Sequence, residues 1–150
     1  FAWKRIVEVH DVDLLVTRVG ETNVFAAVDA VLERKTSLAI GLMHHLLDEG
    51  ASIGYLTYML ARQVRAALMV QELIGIGMGE DEIARRTGLN PGFPLQKTLE
   101  QSRRFPYEYL SGLHQKLLKA DISFKTGTAG RVSRLELKAE ILVAQLSLPD

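Results

Sequence analysis

The sequence predicts an all-α fold, a compact multi-helix bundle of about seven or eight helices. Three observations carry this reading. Apolar residues recur at steps of three and four along most of the chain. No apolar/polar alternation runs longer than a few residues, so the pattern of a half-buried strand is missing. The segments between periodic stretches are short, and only 4 prolines interrupt 150 residues, 47% of them hydrophobic. That is enough apolar material for one sizeable core.

The bundle is expected to be organised around its longest periodic stretch, from about Ser52 to about Ile76. Ile53, Leu56, Leu60, Val64, Ala67, Val70 and Ile74 define one helical face, and Met59, Ala66, Leu68 and Leu73 lie beside it. Arg62, Arg65 and Glu72 keep a narrow polar strip. Ser52 is the expected N-cap, and the glycines at 75, 77 and 79 end the helix. The stretch is long enough to span a bilayer, but Arg62, Gln63, Arg65, Gln71 and Glu72 argue against a span.

The other elements follow in order. Asp11 caps a brief helix, Val12 to Val19, which Gly20-Glu21-Thr22 ends. Thr22 or Asn23 starts a helix through Phe25, Val28, Val31 and Leu32, ending near Arg34. Thr36 or Ser37 caps the next, with Leu38, Leu42, Met43, Leu46 and Leu47 apolar and Gly50 as its C-terminal glycine. After the central helix, Glu80, Asp81 and Glu82 place negative charge at the start of a short helix that Gly88 stops. Asn90-Pro91 reads as an N-cap and first-turn pair for a helix through Leu95, Leu99 and Ser102. Phe105-Pro106 breaks it, and Pro106 opens a helix with the stripe Leu110, Leu113, Leu117, Ala120 and Phe124. Lys125 to Gly130 is a loop. The last helix carries Val132, Leu135, Ala139, Leu142 and Leu146 and ends before Pro149.

Charge and chemistry narrow the function. Lys+Arg and Asp+Glu both number 18, so no global electrostatic case exists for nucleic acid or an anionic membrane. There is no cysteine, which excludes disulfides and thiol chemistry and favours a cytoplasmic setting. His44 and His45 are adjacent, so their side chains diverge on a helix, while His10 and His114 are isolated. The loop Phe124 to Arg131, FKTGTAGR, lacks the order of a phosphate loop, because its lysine precedes the glycines and a helix precedes the loop. The acids Glu33, Asp48, Glu72, Glu100, Asp121 and Glu136 form no pair that spacing alone brings together. No catalytic residue, metal ligand or cofactor is therefore expected.

One segment imitates a DNA reader. Glu80 to Asn90, EDEIARRTGLN, resembles the first helix and turn of a helix-turn-helix through Ile83, Ala84 and Gly88. The element that should read bases begins with Asn90-Pro91-Gly92-Phe93-Pro94, which is rigid and apolar, although Lys97, Arg103 and Arg104 follow it. A helical DNA-binding domain over residues 80–104 is the alternative function.

Five stretches, in order, carry a family resemblance. Ile6 to Val16 has an Ile/Val and an Asp-Val pair before a short helix. Phe25, Val28, Asp29 and Ala30 form a Phe-x-x-Val-Asp-Ala opening, followed by Ala39, Leu42, Leu46, Leu47 and Gly50. Leu60-Ala61-Arg62-Gln63-Val64-Arg65 sets Arg-Gln and a second arginine after a leucine, with one residue inserted. Glu82-Ile83-Ala84 with Gly88 precedes a proline and a lysine-bearing helix. Leu117, Ala120-Asp121, Lys125-Thr126-Gly127 and Leu135 come last. Together they resemble the C-terminal part of the delta subunit of bacterial DNA polymerase III, a subunit of the replicative clamp loader.

The resemblance implies a helical collar domain over residues 20–150, preceded at 1–19 by the tail of an AAA+ lid. The first residue is Phe, so the chain is expected to be a piece of a longer protein. The implied role is assembly: collar domains pack side by side and hold the loader together, without catalysis by this region. The implied partners are the other clamp-loader subunits. The sliding clamp would be met only through an N-terminal domain absent from this sequence, and DNA only through the complex. No membrane is implied. For polar partner contacts the candidates are Arg62, Arg65, Arg103 and Arg104, because arginine is enriched in interfaces.

Overall fold

The computed structural model describes residues 22–125 together with 142, 143 and 146. These residues form six helices and no strand, and residues 142, 143 and 146 are helical as well. Helix α1 covers 22–32, α2 Thr36–Asp48, α3 Ile53–Gly75, α4 Glu80–Thr87, α5 Phe93–Arg104 and α6 Tyr107–Lys125. They correspond one for one to the six expected between residues 22 and 125. The short helix expected over Val12–Val19, the lid tail at 1–19, the loop after Lys125 and most of the final helix lie outside the described residues.

α3 is the axis of the fold. It packs most extensively against α6, then against α5, α4 and α2. Its inner side buries Ile53, Leu56, Met59, Leu60, Val64, Ala67 and Val70. The core has two parts. The larger joins α1, α2 and the N-terminal two-thirds of α3 to Leu110, Leu113, Leu117 and Ala120 of α6 and to Leu142, Val143 and Leu146. The smaller closes around the C-terminal third of α3, where Val70 meets Ile83 and Ala84 of α4 and Leu95 and Leu99 of α5. A helix shared by two apolar clusters must be apolar over much of its girth.

Polar links lock the packing. Gln63 of α3 is buried and donates from Nε2 to Thr98 Oγ1 (3.0 Å) and to Gln101 Oε1 (2.8 Å) on α5. Gln101 in turn donates to Asp29 Oδ1 on α1 at 2.8 Å. Gln71 donates to the carbonyls of Ser102 and Phe105, both at 2.8 Å, which satisfies backbone acceptors that the end of α5 would otherwise orphan. Tyr109 of α6 donates to the carbonyl of Leu32 at 2.8 Å.

The helix ends follow the expected signals in most cases. Ser52 Oγ accepts from the Tyr55 amide at 3.1 Å, so it does cap α3. Gly50 and Gly77, with φ of 101° and 82°, turn the chain out of α2 and α3, and each is followed by a residue whose amide bonds five positions back. α1 ends by the same device on a residue that strains to adopt it: Arg34 has φ 58°. Two expected starts are corrected. α2 is preceded by Lys35, with no side-chain cap, because the turn through Arg34 delivers the chain already helical at Thr36. α5 begins at Phe93, not at Asn90-Pro91, because Gly92 holds φ 106° and ψ −137°, far from helical values. Pro94, not Pro91, is the proline of its first turn.

Candidate interaction surface

Among the described residues, no group of three or more His, Cys, Asp or Glu is placed to hold a metal ion. His45 meets Glu49 at 3.2 Å one turn along its own helix. No helix among the described residues is long and apolar enough to cross a membrane.

The surface of α3 is more informative. Tyr55, Tyr58, Arg62, Arg65, Met69 and Glu72 are exposed at alternating steps of three and four, and Ile76, just beyond Gly75, continues the series. Such spacing keeps all of them on one stripe of one face. Four of the seven are large apolar or aromatic side chains left in water, with Tyr58 57% and Ile76 74% exposed. The polar strip read from Arg62, Arg65 and Glu72 is thus the middle of a longer stripe whose ends are apolar. Tyr55, Tyr58 and Met69 were legible only by continuing that strip in both directions along the 3.6-residue period.

Arg62 and Arg65 differ from the other helical arginines nearby. Arg85 and Arg86 both reach Glu82, at 2.6 and 3.4 Å. Arg104 meets Glu33 at 2.6 Å and lies over the Phe105 ring, 5.3 Å from its centroid. Arg103 lies 3.8 Å from Glu80. Among the described residues, Arg62 and Arg65 have no carboxylate partner. The pKa of His114 on α6 lies below the ordinary imidazole value because of partial burial and, secondarily, the Arg65 charge.

The four arginines proposed from sequence therefore separate. Arg62 and Arg65 stand side by side on α3, whereas Arg103 and Arg104 end α5 and are tied to α4 and to the end of α1. Glu33 receives bonds from Lys35 and Arg104, which hold its carboxyl below the usual range. The DNA alternative draws on the same charges. Lys97 is paired with Asp29 at 2.5 Å and with Glu100 at 3.5 Å, and the Asp29 bond raises its pKa. An open groove of about 610 Å³ runs over α5, lined by Phe93, Gln96, Lys97, Glu100, Arg103 and Arg104. Its cations are already answered by acids of this chain, so a phosphate backbone would have to displace them.

Two residues that sequence reading grouped with these motifs have structural roles. Asp29, in the Phe-x-x-Val-Asp-Ala stretch, accepts from Gln101 and pairs with Lys97. Gln63, between the two α3 arginines, is the buried donor of the same network. A glutamine inside an arginine-bearing strip gives no sequence signal that it points the other way, except the 100° step per residue.

Known proteins match across these same elements. Residues 21–141 match the family described as DNA polymerase III delta subunit, C-terminal domain. The chain is 26% identical over 131 residues to the DNA polymerase III subunit delta of Bacillus subtilis (strain 168), covering 87% of this chain and 38% of that protein. Among solved structures, the Bacillus subtilis DNA clamp loader delta protein is similar in fold, with a TM-score of 0.71 and 24% identity, over 85% of this chain and 36% of its own. The chain thus spans well under half the length of either relative.

Proposed function

We infer the function from the premise that this chain belongs to the family of C-terminal domains of the DNA polymerase III delta subunit. It is a non-catalytic assembly domain of a clamp loader. It packs with other clamp-loader subunits so that the complex loads the sliding clamp onto DNA during replication in the bacterial cytoplasm. Residues 20–150 are the collar and residues 1–19 the tail of the lid. Contact with the clamp itself belongs to the N-terminal part of a whole delta subunit, and contact with DNA to the complex.

The observation that carries this reading is the exposed stripe of α3. A protein seldom leaves two tyrosines, a methionine and an isoleucine in line on its central helix unless another surface covers them. Tyrosine, methionine and arginine are the residues enriched at such surfaces. Arg62 and Arg65 are the polar contacts. Arg103 and Arg104 form a second point of contact, at which a partner's carboxylates compete with Glu80 and Glu33.

Gel filtration of the purified chain with the other clamp-loader subunits of its source tests the reading. Co-migration at micromolar concentration is expected. Separate elution of every pair and of the full mixture refutes it. The DNA alternative predicts duplex binding that weakens steeply with salt and is lost on replacing Lys97, Arg103 and Arg104. Flat fluorescence anisotropy with duplex DNA at low salt is the expected result.

A further inference from the structure

The α3 stripe says something about what covers it. Its exposed positions alternate at three and four residues from Tyr55 to Ile76, a rise of about 32 Å. That regularity suits a second helix laid alongside, because side chains at these steps form the ridge that interdigitates with another helix. The charge pattern constrains that helix further. Arg62 and Arg65 sit between an aromatic end and an apolar end, and among the described residues no carboxylate answers them. Covered by apolar side chains, two guanidinium groups one turn apart would be desolvated without partners, at heavy cost.

We propose that the outer stripe of α3 docks one helix of a neighbouring clamp-loader protein, and that this helix carries carboxylates opposite Arg62 and Arg65 between apolar residues that cover Tyr58 and Met69. This rests on the assembly reading above and names the partner's chemistry. A second copy of the chain is a poor occupant. A parallel pair sets each arginine against itself. An antiparallel pair centred on the stripe brings Arg65 against Arg65. The antiparallel register that pairs Arg65 with Glu72 carries Tyr55 and Tyr58 past Gly75, the end of α3, and leaves Arg62 unanswered. Nucleic acid fits no better, since the stripe confines its two cations to one turn, flanks them with apolar side chains and adds Glu72.

The test titrates the chain against each of the other clamp-loader subunits at two ionic strengths. Variants are Arg62→Glu with Arg65→Glu, Tyr58→Ser with Met69→Ser, and Lys119→Glu as an exposed control on α6, each checked for an unchanged far-ultraviolet spectrum and melting point. The arginine pair is expected to weaken binding about 100-fold, chiefly through faster dissociation, with association also slower and less salt-dependent. The Tyr58/Met69 pair is expected to speed dissociation about tenfold or more with little salt dependence. Lys119→Glu should bind as wild type. A charge-reversal scan of exposed acids on the partner that binds should find a position restoring at least tenfold of the lost affinity to the arginine variant. The proposal is overturned if wild type binds but the arginine variant stays within twofold of it, or if no reversed acid restores affinity. It is equally overturned if the stripe variants instead disrupt a dimer of this chain or its binding to duplex DNA. If wild type binds none of the other subunits, the assembly reading itself has failed, a result separate from any of these.

Discussion

Arg62 and Gln63 are neighbours in sequence with opposite surroundings. Gln63 is buried, and its amide links α3 to Thr98 and Gln101 of α5. Gln63→Ala strands two buried polar partners and opens space, so urea unfolding should show a loss of about 2 kcal/mol. Arg62→Ala, one position away, should stay within about 0.5 kcal/mol of wild type, as an exposed side chain without a partner among the described residues does. His114 provides an independent check on the placement of Arg65. Burial and the Arg65 charge lower its folded pKa, so the unfolded chain takes up this proton first as pH falls. Stability should therefore decline as pH drops below the ordinary imidazole value of about 6.5. That decline should shrink in His114→Gln. By nuclear magnetic resonance, His114 should titrate below the ordinary value in wild type and move part of the way back in Arg65→Gln, since burial is the larger cause. At this scale the sequence was only partly legible. The exposed arginines were readable from their period, whereas the Asp29–Gln101–Gln63 chain depends on contacts between residues up to 72 positions apart, which no local pattern encodes.

α3 has a buried face and an exposed one. Its inner face holds the bundle together, and Leu60→Asp should place an unpaired charge in the larger core, costing about 4 kcal/mol or more in denaturant unfolding. Ser52→Ala removes the cap on the Tyr55 amide and should cost about 1 kcal/mol by the same measurement. The existence and order of the helices from 22 to 125 were legible because each buries a stripe at helical spacing and most end on a residue suited to ending it. The starts of α2 and α5 were not. Threonine, serine and asparagine are good caps wherever they occur, but the turn through Arg34 and the positive φ of Gly92 decide where helical geometry begins. Arg34 would be expected as glycine at that position; its guanidinium lies over the Tyr109 ring, 5.6 Å from the centroid, which offsets part of the strain.

At the scale of the molecule, the proposed assembly surface of α3 is distinct from the surface that stabilises the bundle. The two apolar clusters, the glutamine network and the ion pairs of α4 and α5 are internal. The line from Tyr55 to Ile76 lies outside both clusters and is exposed. Family membership was legible from ordered stretches of sequence, four of which lie within the residues 21–141 that match the family. The occupant of the stripe was not legible, because exposure is a property of the folded surface. The separation of faces is tested most directly by measuring, on the same Arg65→Glu protein, its melting temperature and its affinity for the other clamp-loader subunits. A melting temperature close to wild type with at least tenfold weaker binding is the predicted result. A melting temperature lowered as far as in Leu60→Asp, or wild-type affinity in the folded variant, would contradict it.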